Sequence, residues 1–153
     1  MPRILSLVAL LLISQIALAG EPLNLKKGVA LAGYDPVSYF QQGPMPGSKS
    51  ITTVYKTATY YFTNQDNKSA FLEAPENYLP QYGGWCAYAM LEGEKVDVNP
   101  KRYKIVEGKL YLFYDKFWLD TLKHWDQLTK ETSEEELINK ADKQWQLMSE
   151  MAE

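Results

Sequence analysis

A single cysteine, Cys86, constrains this chain more than any other residue. No internal disulfide can form, so packing or a bound ion must hold the fold together. Cys86 stands in an apolar and aromatic run, Tyr82-Gly83-Gly84-Trp85-Cys86-Ala87-Tyr88-Ala89-Met90. The N-terminus reads as an export signal, and oxidising compartments pair cysteines or omit them. A lone thiol there needs a reason. Three stand open: a metal ligand, a reactive or intermolecular thiol, or an inert buried sulfur.

The export reading rests on Arg3, followed by an almost unbroken apolar stretch from Ile4 to Ala17 and by Ala17-Leu18-Ala19 before Gly20. A short apolar core ending in small residues is the pattern of a cleaved signal peptide rather than of a membrane span. Residues 1–19 are therefore expected to be removed, leaving a periplasmic or secreted domain over residues 20–153. Without Arg3, 15 Lys and Arg face 19 Asp and Glu, a net charge of −4. That balance argues against nucleic acid and against a membrane as partner once the signal is gone. The remaining 134 residues suit one domain with a real core. Eleven tyrosines and four tryptophans supply much of its buried surface.

Turn residues and periodicity divide the domain. Ile51 to Tyr55 and Ala58 to Phe62 are β-branched and aromatic runs about Lys56-Thr57, a hairpin. Arg102 to Val106 and Lys109 to Tyr114 flank Glu107-Gly108, a second and stronger one. Between them, Asn64 caps a helix carrying Ala70, Phe71 and Ala74, and Pro75 to Leu79 forms a shorter turn of helix. Lys26-Lys27-Gly28 reads as a polar break, and Glu94 to Val98 as a strand ended by Asn99-Pro100. Asp115 is expected to cap a helix bearing Trp118, Leu122 and Trp125. Ser133 and Glu136 make a capping box for a last helix, with Leu137, Ile138, Ala141, Trp145 and Met148 in one stripe. The fold class is α+β: a small, mainly antiparallel sheet of hairpins, short central helices, and a C-terminal helical extension over about residues 116–151.

Few residues offer chemistry. Met90 lies four residues after Cys86, so on a helix both sulfurs share a face. The sole histidine, His124, is far along the chain. One Cys, one Met and one His suit copper better than zinc. Against this stands the ordinary use of Met and Cys as core residues, and of a helical His as a solvated one. Gly83 and Gly84 permit either a helix cap or the close approach of another segment, with the cap preferred. Asp35 precedes Pro36 and is placed to cap a short helix. Asp97 and Glu107 are read as turn or solvated carboxylates. No phosphate loop, dinucleotide fingerprint or C-x-x-C is present, and an enzyme is disfavoured.

Several of these segments together resemble the exported YHS-domain proteins of bacteria. They are Gly33-Tyr34-Asp35-Pro36-Val37-Ser38-Tyr39-Phe40, Tyr60-Tyr61-Phe62, Phe71, Pro75 through Met90, Gly108 through Leu112 and Ala141 through Trp145. The resemblance implies a small α+β module, metal binding, and Cys86 as the ligand. This chain has one cysteine where relatives offer several, which puts a closed thiolate site out of reach of one protomer.

The leading expectation is thus a non-enzymatic module holding or handing over a soft ion, copper in particular, through Cys86 with Met90 and His124 as helpers. A second makes the aromatic side chains Tyr34, Tyr39, Tyr82, Trp85 and Tyr88 a docking face for a periplasmic protein or a second copy of the chain. A third makes Cys86 a redox thiol.

Overall fold

The computed structural model describes residues 22–151; the expected signal peptide lies outside them. The chain is α+β. Its first sheet has the strand order β1-β2-β4-β3, built from β1 (Leu25–Lys26), β2 (Val29–Ala30), β3 (Ser48–Tyr55) and β4 (Ala58–Phe62). All its pairings are antiparallel except β2 with β4. A second hairpin, β5 (Asn99–Val106) and β6 (Lys109–Phe113), forms its own two-stranded sheet. Four α-helices complete the described chain: α1 (Gln65–Glu73), α2 (Ala87–Met90), α3 (Thr121–Leu128) and α4 (Glu134–Glu150).

Strand β6 explains the layout. Its residues alternate, as a strand must, but both of its faces are buried. Leu110 and Leu112 enter one core with Tyr60, Phe62 and Phe71. Tyr111 and Phe113 enter a second with Met90, Trp125, Leu137 and Ala141. The sheet and α1 close the first core; α2, α3 and α4 close the second. Phe71 is fully buried, its ring 4.9 Å from that of Tyr60 and 5.3 Å from that of Phe62. Truncating it to Ala should cost about 3–5 kcal/mol.

Local chemistry sets the boundaries. Asn64 accepts a bond from Asn67 N, and Ser133 with Glu136 forms the expected capping box. Glu107 and Gly108 both have positive φ, as a two-residue hairpin turn of this kind demands.

Four expectations are corrected. Lys27-Gly28 is not a mere break but the turn of a short hairpin, with φ of 53° and 81°. Residues 94–98 form no strand. Strand β5 instead starts at Asn99 and runs through Pro100, because the pairing shifts register between Asn99 and Tyr103 and spares the proline a ladder bond. Asp115 does not cap a helix. It opens a third hairpin, β7 (Asp115–Lys116) and β8 (Leu119–Asp120), which leaves Trp118 outside α3 and gives the cap to Asp120. The i, i+4, i+7 spacing of Trp118 misled because a tight turn can precede a helix without breaking its apparent period.

Candidate functional site

Cys86 sits at the N-cap of α2, fully buried. Its N–H donates to Val96 O (3.0 Å), and its carbonyl accepts from Met90 N (3.0 Å). The sulfur lies 3.3 Å from Thr121 Oγ1 and 3.4 Å from Tyr114 N. The Thr121 hydroxyl also lies 2.9 Å from Tyr114 O, a carbonyl that can only accept. Its one proton is therefore spent there, and the contact between sulfur and hydroxyl must be donated by the thiol. The Cys86 S–H is a hydrogen-bond donor held in the core.

The other proposed donors lie in different surroundings. Met90 is fully buried in the second core. His124 is exposed on α3, its ring 5.7 Å from that of Tyr88. Among the described residues, no group of three or more His, Cys, Asp and Glu side chains converges as a metal site.

The five aromatics of the expected docking face are divided between the two cores. Tyr34 and Tyr39 belong to the first, and Tyr82, Trp85 and Tyr88 to the second. Tyr39 and Tyr82 retain 3% and 4% of their surface. Their hydroxyls are occupied, donating to Pro100 O (2.7 Å) and Asp142 Oδ1 (2.8 Å). Burial raises both phenols far above their ordinary range. They hold elements together and leave no single aromatic face.

Asp35 is not the helix cap expected, since the short helix Ser38–Phe40 has Val37 at its N-cap with no side-chain bond; its carboxylate closes the turn before that helix and does more. Oδ1 accepts from Val37 N (2.9 Å), while Oδ2 accepts from Thr63 N, Thr63 Oγ1 and Asn67 Nδ2 at 2.7–2.8 Å. This buried carboxylate ties the turn after β2 to the start of α1. Gly83 serves close approach rather than capping: a Cβ there would lie 2.9 Å from Pro22 O and 3.2 Å from the Trp145 ring. Glu107 is a turn residue.

What the fold does assemble is a cleft of about 360 Å³ between the β1–β2 hairpin, the Leu79–Gly84 segment and α4. That volume lies within the range of small-molecule sites. Leu31, Leu79, Leu112 and Trp145 supply apolar walls. Its lysines are paired, while Asp142, which also lines it, accepts from the Tyr82 hydroxyl. Lys26 Nζ lies 2.6 Å from Asp97 Oδ2, and Lys56 Nζ 3.1 Å from Glu76 Oε1. Burial pushes the Asp97 carboxyl up, but Lys26, Asn24 Nδ2 and the Val98 N–H outweigh it and hold the group below its usual range. The Tyr55 hydroxyl, donating over 2.7 Å and helped by Lys56, does the same for Glu76.

Tyr60 differs from these groups. It lines the cleft, is 4% exposed, and its hydroxyl makes no hydrogen bond with any described residue. Burial, with Glu76 and Tyr55 adding, pushes its pKa up to about 12, so it remains a neutral donor. Tyr111 is equally buried and equally without a hydrogen bond, but it does not line the cleft. The sequence places Tyr60 on a strand, and its facing follows from the alternation of that strand. The signal was there: Ala58, Tyr60 and Phe62 alternate inward, so an oxygen is carried to the inner face.

No family model matches the chain, and neither a curated protein nor a solved structure matches it.

Proposed function

We propose that this chain is a non-enzymatic binding module of the exported YHS type, whose site is the cleft and whose ligand is a small, non-anionic, amphipathic molecule. The observation that carries the reading is the Tyr60 hydroxyl, which opens onto the cleft and makes no hydrogen bond with any described residue. A hydroxyl in an apolar-walled cleft with no protein partner is free to donate to a bound ligand. The ligand is not an anion, because both lysines of the cleft already face carboxylates and Asp142 adds a further one. An incoming anion would have to break one of those pairs. Apolar walls favour a hydrocarbon or aromatic body, and the partly buried Gln81 amide offers a second polar contact.

The soft-ion reading fares worse on this geometry. A thiolate at Cys86 would forfeit its donated bond to Thr121, and the sulfur has no access to solvent. Screening a library of neutral amphipathic fragments by amide chemical-shift mapping tests the proposal. Hits that move Leu31, Gly83, Gly84 and Asp97 together support it. A screen in which no fragment perturbs the cleft would end it.

A further inference from the structure

The turn of the third hairpin points outward. Phe117 and Trp118 form its two-residue loop, 89% and 93% exposed, with ring centroids 5.9 Å apart. Leu119 beside them is also exposed. Phe117 has φ of 58°, a conformation that bulky side chains rarely adopt and that glycine would take at this loop position without strain. The fold therefore holds a large aromatic where a small residue suits the backbone better, and spends none of it on either core.

We infer that this tip inserts into the interface of an anionic lipid bilayer. Two features select that occupant. The first is area. Two such side chains present on the order of 350–450 Å², about half of what one partner contributes to a stable protein interface. Leu119 extends the patch only slightly before Lys116 and Asp120 bound it, whereas a bilayer needs only a few aromatic side chains at headgroup depth. The second is charge. Asp115 and Asp120 at the base of the hairpin both face Arg102, with Arg102 Nε 3.5 Å from Asp115 Oδ2. Lys123, whose side chain is 81% exposed, also lies 3.7 Å from Asp120 Oδ2, which leaves Lys116 in no ion pair with any described residue and three cations against two carboxylates. The tip carries a local positive excess on a chain that is acidic overall. At physiological salt the distant carboxylates are screened beyond about 8 Å, so the tip meets anionic headgroups through its own lysines. The expectation of no membrane partner, drawn from net charge, averages over a surface on which this patch is the exception. Among the described residues no helix is long and apolar enough to cross a membrane, so the contact is interfacial.

The experiment is sedimentation of the full domain with vesicles of phosphatidylcholine alone and of phosphatidylcholine with phosphatidylglycerol. Phe117→Ser/Trp118→Ser is run beside it. Neither ring packs in a core, so the double variant keeps its fold, which its circular dichroism and thermal midpoint verify. Expected are binding to the anionic vesicles that weakens with added salt, a blue shift of tryptophan emission on binding, and at least a tenfold loss of affinity in the double variant. Absence of binding to anionic vesicles overturns the inference, as does binding that the double variant retains. So does a concentration-dependent dimer of the wild-type chain that the double variant abolishes, which would assign the tip to a second copy.

Discussion

Cys86 and Tyr60 are both nearly inaccessible, both polar and both packed against strands of the same molecule, yet their chemistry differs. The Cys86 sulfur has a hydroxyl and an N–H within bonding distance, and its proton has a defined acceptor. The Tyr60 oxygen has no partner and borders an open cleft. Conspicuousness in the sequence and availability in the fold are separate properties. The lone cysteine is chemically satisfied, and the strand tyrosine is not.

The comparison is sharpened first at Asp35, the most fully satisfied polar group in the described chain. Asp35→Ala removes the acceptor of Val37 N, Thr63 N, Thr63 Oγ1 and Asn67 Nδ2 and one of the two acceptors of Ser38 N. A loss of about 3–5 kcal/mol is expected in urea unfolding. Next comes Cys86→Ala. Thr121 keeps both of its bonds to Tyr114, so only the sulfur's packing and its weak bonds are lost, about 1–2 kcal/mol. In the wild-type chain, reaction of the thiol with a disulfide reagent should be slower than in urea by more than about a hundredfold, because it waits on opening of the core. A Cu(I) titration against a chromophoric chelator should show no equivalent that depends on Cys86. A stoichiometric one would restore the metal reading.

Tyr60→Phe should do far less. Removing a hydroxyl that opens onto the cleft and has no protein partner should leave the free protein within about 0.5 kcal/mol of the wild type, as read from its thermal midpoint. A clear destabilisation would mean that the hydroxyl has a partner after all. Acid loosening of the cleft is also a small effect. The Asp97 and Glu76 carboxyls sit below their unfolded pKa values, so the stability they add is present above about pH 4 and is lost as pH falls through the depressed values. For the half-exposed Lys26–Asp97 pair this is less than about 1 kcal/mol after solvent screening. Cleft amides should shift in that window before the rest of the spectrum does.

Much of the architecture was legible because short-range chemistry dictates it. Asn64, Ser133 and Glu107-Gly108 announce their caps and turn through side-chain type alone. The Phe117-Trp118 hairpin was not legible, since its loop residues are not turn formers and φ of 58° at a phenylalanine has no sequence signal. The candidate site was barely legible. Its walls come from the β1–β2 hairpin, the Leu79–Gly84 segment and α4, which only the tertiary fold brings together. The paired state of Lys26 with Asp97, 71 residues apart, is likewise a product of the fold.

Binding is assigned to Tyr60 and its cleft rather than to Cys86. The measurement is the dissociation constant of the strongest cleft-binding neutral fragment for the wild-type chain, Tyr60→Phe and Cys86→Ala. One lost hydrogen bond predicts about tenfold weaker binding to Tyr60→Phe and no change for Cys86→Ala. Affinity unchanged in Tyr60→Phe but reduced in Cys86→Ala would contradict the account.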